Sequence, residues 1–109
     1  MPATVLVVDD DRDLTRLMSK FLKLEGFMAA EASNGQEALS YLRGGGNANV
    51  ILLDLRMPVM DGWAFASAYR QVPPPRAPVV VVTAARAAAA RAVEVGADAH
   101  LGKPFELDD

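Results

Sequence analysis

VLVVDDDRD, residues Val5 to Asp13, runs from branched and long apolar residues straight into three consecutive aspartates, with a fourth two positions on. Neighbouring like charges repel, and a carboxylate next to an apolar core is costly to keep ionised. An apolar run without polar alternation marks a strand buried on both faces. Thr4 to Val8 (TVLVV) is therefore read as a first strand, with the acids at its carboxyl end. Asp11 is placed to cap a helix in which Leu14, Leu17, Met18, Phe21 and Leu22 recur at helical spacing, and Gly26 stops that helix.

The same rhythm continues along the chain. Phe27 to Glu31 reads as a weaker second strand. SNGQ, Ser33 to Gln36, matches a capping box and opens a helix through Ala38, Leu39 and Leu42. Gly44 to Asn47 breaks it. Val50 to Leu53 is a third strand. A loop with Met57, Pro58 and Gly62 leads to a helix over Trp63 to Arg70, and QVPPPRAP is a stiff connection. Val79 to Val82 is a fourth strand, Ala84 to Val95 an alanine-rich helix ended by Gly96, and Ala99 to Leu101 a short fifth strand. Strand–helix alternation with strands apolar on both faces predicts an α/β fold: a doubly wound parallel sheet with helices on both sides.

The bulk numbers agree with one such domain spanning residues 1–109. The chain is 51% hydrophobic and 23% charged, with a net charge of −3 and no cysteine. Scattered Lys and Arg leave no nucleic-acid footprint, and the lack of thiols excludes disulfides and thiolate metal sites. No apolar run approaches a membrane span and the N-terminus lacks a signal-peptide pattern, so no membrane association and a cytoplasmic setting are expected. The acids are unevenly spread: four of the fourteen fall between positions 9 and 13.

In a parallel sheet every strand ends on the same edge, and ligands bind there where the strand order reverses. Asp9 and Asp10 end the first strand, Asp54 follows the third, Thr83 the fourth, and Lys103 the fifth. If the first strand lies between the second and third, Asp9, Asp10 and Asp54 converge. At a separation of ~4 Å and an effective dielectric constant of about 20, each charge pair contributes ~4 kcal/mol. A cation resolves the conflict, and an all-oxygen donor set suits Mg²⁺. A phosphoryl group on one carboxylate would then find a metal, the Lys103 ammonium and the Thr83 hydroxyl. The expected chemistry is phosphoryl transfer onto an aspartate.

Together, VLVVDDD, LLDLRMPVMDG, VVVVTA and GKPF, in this order and over nearly the whole chain, resemble the receiver domain of two-component response regulators. The resemblance implies a flavodoxin-like five-stranded sheet of order 2-1-3-4-5. It implies a phosphorylation switch, not a turnover enzyme, in which Asp54 accepts a phosphoryl group from a sensor histidine kinase or phosphotransfer protein. Asp10 would be a direct Mg²⁺ ligand, Asp9 would act largely through water, and the Arg56 carbonyl would be a third protein ligand. Thr83 and Lys103 would hold phosphoryl oxygens, small Ala84 would leave the path open, and Arg56 and Ala85 would flank the group. Lys103-Pro104 resembles the family's cis peptide. The switching surface would comprise the fourth helix, fifth strand and fifth helix, through which a homodimer could also form.

Three features depart from the family pattern. His100 stands where Tyr or Phe is usual. The segment from Thr83 to Gly96 is shorter than usual and dominated by alanine. The chain ends where the fifth helix would begin, so that helix is expected to be incomplete.

Two other classes share fragments of the pattern. DRDLT, Asp11 to Thr15, fits the D-x-D-x-[TV] of haloacid-dehalogenase-type phosphohydrolases but starts two residues late. Asp9, Asp11 and Asp13 open an EF-hand-like series, but Leu14 and Lys20 replace the required glycine and glutamate.

Overall fold

A computed structural model describes residues 2–84 and 86–103. Strands and helices alternate: β1 (Thr4–Val8), α1 (Arg12–Leu24), β2 (Met28–Ala32), α2 (Gly35–Arg43), β3 (Val50–Leu53), α3 (Gly62–Tyr69), β4 (Val79–Ala84), α4 (Ala88–Val95) and β5 (Ala99–Lys103). The strands form one sheet in the order β2-β1-β3-β4-β5, and every neighbouring pair is parallel. This is the flavodoxin-like order. The chain steps outward from β1 to β2, then returns past β1 to β3, so the order reverses at β1.

Strand periodicity divides the core between the two faces of the sheet. Leu6 and Val8 point into a cluster with Ile51, Leu53 and Val81, which Leu39, Phe65 and Ala92 cover from α2, α3 and α4. Val5 and Val7 point the other way and pack with Met18 of α1, flanked by Leu14, Leu22 and Leu52. All five residues of β1 are buried, which is why its sequence shows no polar alternation.

Several boundaries differ from the sequence reading. The capping box shifts by one residue: Asn34, not Ser33, caps α2, accepting from the Glu37 amide at 2.9 Å. Glu37 reaches back to Ser33, taking its N–H at 3.0 Å and its hydroxyl at 2.7 Å. β2 starts one residue later than expected, because the Phe27 amide still donates to Leu22 at the end of α1. β4 and β5 run on to Ala84 and Lys103, since ladder pairing continues through Thr83↔Gly102 and Ala84↔Lys103. α4 therefore begins at Ala88 instead of Ala84. Asp11 does cap α1, and Asp61 caps α3. The expectations for Ala85, the Lys103-Pro104 bond and the fifth helix fall on residues outside those described.

The β3–α3 loop is fixed by close backbone approach. The Gly62 amide donates to the Leu55 carbonyl at 2.8 Å. A Cβ at Gly62 would lie 2.5 Å from the Asp54 carbonyl oxygen and 2.7 Å from the Leu55 Cα. Neither backbone atom can swing aside as a flexible side chain would. Gly62→Ala is expected to cost about 1–3 kcal/mol, the usual range for overpacking, as a lower urea midpoint. An unchanged midpoint would show that the loop has slack.

Candidate functional site

Asp9 and Asp54 follow the central strands β1 and β3 and are held there by the sheet itself. The Asp9 amide donates to Ala32 O at 3.0 Å, and the Asp54 amide donates to Val8 O at 2.9 Å. Both residues are buried, at 4% and 8% exposure, whereas Asp10 is exposed. One carboxylate oxygen from each of Asp9, Asp10 and Asp54 lies within 4.8 Å of the other two. The conditional expectation of convergence is met because β1 sits between β2 and β3.

Lys103, at the end of β5, reaches into this cluster. Its Nζ donates to Asp9 Oδ2 at 2.7 Å and stands 3.6 Å from Asp54 Oδ1. The other Asp9 oxygen, Oδ1, accepts from the Asp11 amide at 2.9 Å. Asp9 thus spends both oxygens on organising the pocket. Asp54 makes the longer contact with the ammonium and is also reached by the Leu55 amide.

Burial pushes the Asp54 carboxyl above the usual aspartate range, and the Asp9 charge pushes the same way. The Lys103 charge and the Leu55 amide offset only part of this. For Lys103, burial opposes the ammonium. The hydrogen bond to Asp9 and the charges of Asp54 and Asp9 outweigh it, and the amine is held protonated above its ordinary value. Three carboxylates face one ammonium, so a divalent cation would balance the local charge. Oxygen donors at this spacing suit a hard cation such as Mg²⁺.

The remaining candidates lie around this centre. Thr83 is half-buried in the last turn of the β4 ladder, and among the described residues its hydroxyl makes no side-chain hydrogen bond. Arg56 is exposed and lines an open cleft of about 360 Å³ together with Asp10, Asp61 and Trp63. A larger cavity, about 480 Å³, lies by Pro78 and Val79 at the opposite edge of the sheet. Size alone does not mark the site: among the described residues, the acid cluster is found only at the carboxyl edge.

Asp11 is the cap of α1 and Asp13 lies in its first turn. Neither joins the cluster, so the phosphohydrolase and EF-hand patterns have no matching geometry. His100, which stands where the family usually has Tyr or Phe, is exposed on β5. The sequence reading missed a contact at the cleft, where the Trp63 indole binds Glu94 of α4. No local pattern signals a pair 31 positions apart.

The raised Asp54 value has a defined consequence for stability. The folded chain holds the Asp54 proton more tightly than the unfolded chain. By linkage, this group lowers stability as pH climbs from the ordinary 3.8 through the raised value, and its cost is constant above that. In chelator-containing buffer at pH 7, Asp54→Asn is expected to melt at a higher temperature than wild type. The gap should close as the pH falls below about 3.8. A lower-melting variant at pH 7 would contradict the electrostatic reading.

Comparison with known proteins gives a consistent answer. The sequence profile of the response regulator receiver domain matches residues 5–109. The transcriptional regulatory protein CpxR of Escherichia coli K12 is 39% identical over 103 residues, covering 93% of this chain and 43% of that protein. SrrA of Staphylococcus aureus, also a transcriptional regulatory protein, is 39% identical over 107 residues, covering 96% and 43%. The chain thus spans less than half the length of these relatives. Among solved structures, chemotaxis response regulator CheY4 of Vibrio cholerae superposes with a TM-score of 0.87 at 32% identity, covering 99% of this chain and 92% of that one. The receiver domain of Francisella response regulator 1452 gives 0.84 at 29% identity, covering 97% and 88%. The chain belongs to the receiver domain family of two-component response regulators.

Proposed function

We propose that this receiver domain is switched by phosphorylation of Asp54, with a phosphohistidine on a sensor histidine kinase or phosphotransfer protein as donor. The observation that carries this reading is the meeting of Asp9, Asp10 and Asp54 within 4.8 Å, with the Lys103 ammonium against two of them. Asp54 is the acceptor because its oxygens are the least committed of the two buried acids. An Asp54 oxygen attacks phosphorus, the P–N bond to the donor imidazole breaks, and the departing nitrogen takes up a proton. The product is an acyl phosphate on Asp54.

Asp9, Asp10, Asp54 and the Arg56 carbonyl would hold Mg²⁺, which when bound neutralises charge on the phosphoryl oxygens. Lys103 is already at the pocket and pairs with one of those oxygens. Thr83, which has no side-chain hydrogen bond among the described residues, donates its hydroxyl to another. Drawing Thr83 inward shifts the end of β4 and biases the surface of α4 and β5 between two arrangements. The domain promotes its own phosphorylation and dephosphorylation without turning over a separate substrate.

Incubation with Mg²⁺ and acetyl phosphate is expected to add one phosphoryl group, labile to acid and base. Asp54→Asn should abolish it. Label on the variant would move the acceptor elsewhere. Steady turnover of an aryl phosphate that is lost in Asp11→Asn would instead favour a hydrolase. Asp10 is exposed, so Asp10→Asn should weaken Mg²⁺ binding in a calorimetric titration without shifting the urea midpoint in chelator. A variant that unfolds would make Asp10 structural.

A further inference from the structure

A string of side chains runs from the edge of the acid pocket to α4. The Arg56 guanidinium carbon lies 5.9 Å from the centre of the Trp63 ring, at the limit of cation–π range. The indole Nε1 donates to Glu94 Oε1 at 3.3 Å. Arg91 Nη1 donates to the other Glu94 oxygen at 2.6 Å. Arg56 shares its cleft with Asp10 and Asp61. Among the described residues it pairs with neither carboxylate and lies instead over the indole.

α4 otherwise packs on β4 and β5 through small side chains. Its N-terminus has no side-chain cap, and its buried residues are Ala88, Ala92 and Val95. Alanine has a single methyl to bury, so this face gains little adhesion from the hydrophobic effect. At its C-terminal end Arg70 of the α3 cap donates to the Val95 carbonyl. The Trp63–Glu94 bond ties the exposed side of α4 to the first turn of α3, just beyond the loop that follows Asp54. β5 carries no buried aromatic ring to offer another route, since its one ring, His100, is exposed.

We propose that Trp63 and Glu94 are positioning residues that couple the acid pocket to α4 through Arg56. This rests on the phosphoacceptor reading of Asp54. Added negative charge at Asp54 draws the exposed guanidinium from the ring toward the pocket. The indole then loses its cation, and its bond to Glu94, with the Glu94–Arg91 pair behind it, readjusts. The two states differ in a named contact, which a population shift requires. By reciprocity, loosening the tie at α4 alters binding in the pocket.

The test uses the 109-residue chain as wild type, Trp63→Phe and Glu94→Ala. Phenylalanine keeps a ring for Arg56 but removes the N–H. Glu94 is exposed, so its variant does not put folding at risk. Hydrogen exchange over Arg91–Val95 is read with and without Mg²⁺ plus acetyl phosphate, and intact mass reports phosphorylation separately. Expected is label on all three proteins, with an α4 exchange change in wild type that both variants lose. Mg²⁺ dissociation constants should move roughly two- to ten-fold in Glu94→Ala, the value of one hydrogen bond lost from the string. An exchange change retained in both variants, or missing from phosphorylated wild type, overturns the coupling. Absence of label on wild type overturns the phosphoacceptor reading instead. The coupling is then decided by Mg²⁺ alone: an α4 change lost in both variants supports it, and any other pattern overturns it.

Discussion

Electrostatic conflict among carboxylates at the carboxyl edge is the constraint around which the rest of this domain is arranged. Two of the three clustered acids are buried at the ends of central strands. Charge repulsion there would be unfavourable if the pocket had no other role. The fold meets the conflict from a distance: Lys103 bonds Asp9 across 94 positions of sequence. That bond closes the circuit from the first strand to the fifth and leaves Asp54 only partly compensated. The residual negative charge would suit a divalent cation, and with it the phosphoryl group of the proposed reaction.

The sheet supplies the geometry. Reversal of strand order at β1 puts Asp9 and Asp54 side by side, and the backbone bond from the Asp54 amide to Val8 fixes their relative height. Gly62 lets the following loop fold back on the Asp54 and Leu55 backbone. That loop carries Arg56, so a packing requirement at a glycine helps to determine where Arg56 meets the cleft.

Much of this was legible before any coordinates. Asp9, Asp54 and Lys103 directly follow or close apolar runs, and in a parallel sheet such positions share an edge. Strands without polar alternation pointed to a parallel sheet, and the order of its strands came from the resemblance to the receiver family. Other features were not legible for physical reasons. Ala84 has a high helix propensity, yet ladder pairing with Lys103 keeps it in β4; tertiary pairing overrode local preference. Ser33 and Asn34 are both good caps, and the choice was made by Glu37, whose carboxylate Ser33 engages through N–H and hydroxyl. The exposure of His100 depends on what packs against β5, and the Trp63–Glu94 contact depends on how α3 and α4 meet. Neither has a local pattern.

The central claim is that acids from the first and third strands form one cation site. It is tested most directly by an amide NMR titration with Mg²⁺. The account predicts a saturable one-to-one response, largest at residues 9–11 and 54–57 and felt at Lys103. A response centred on Asp11 and Asp13 with residues 54–57 unmoved, or no saturable response at all, would contradict it.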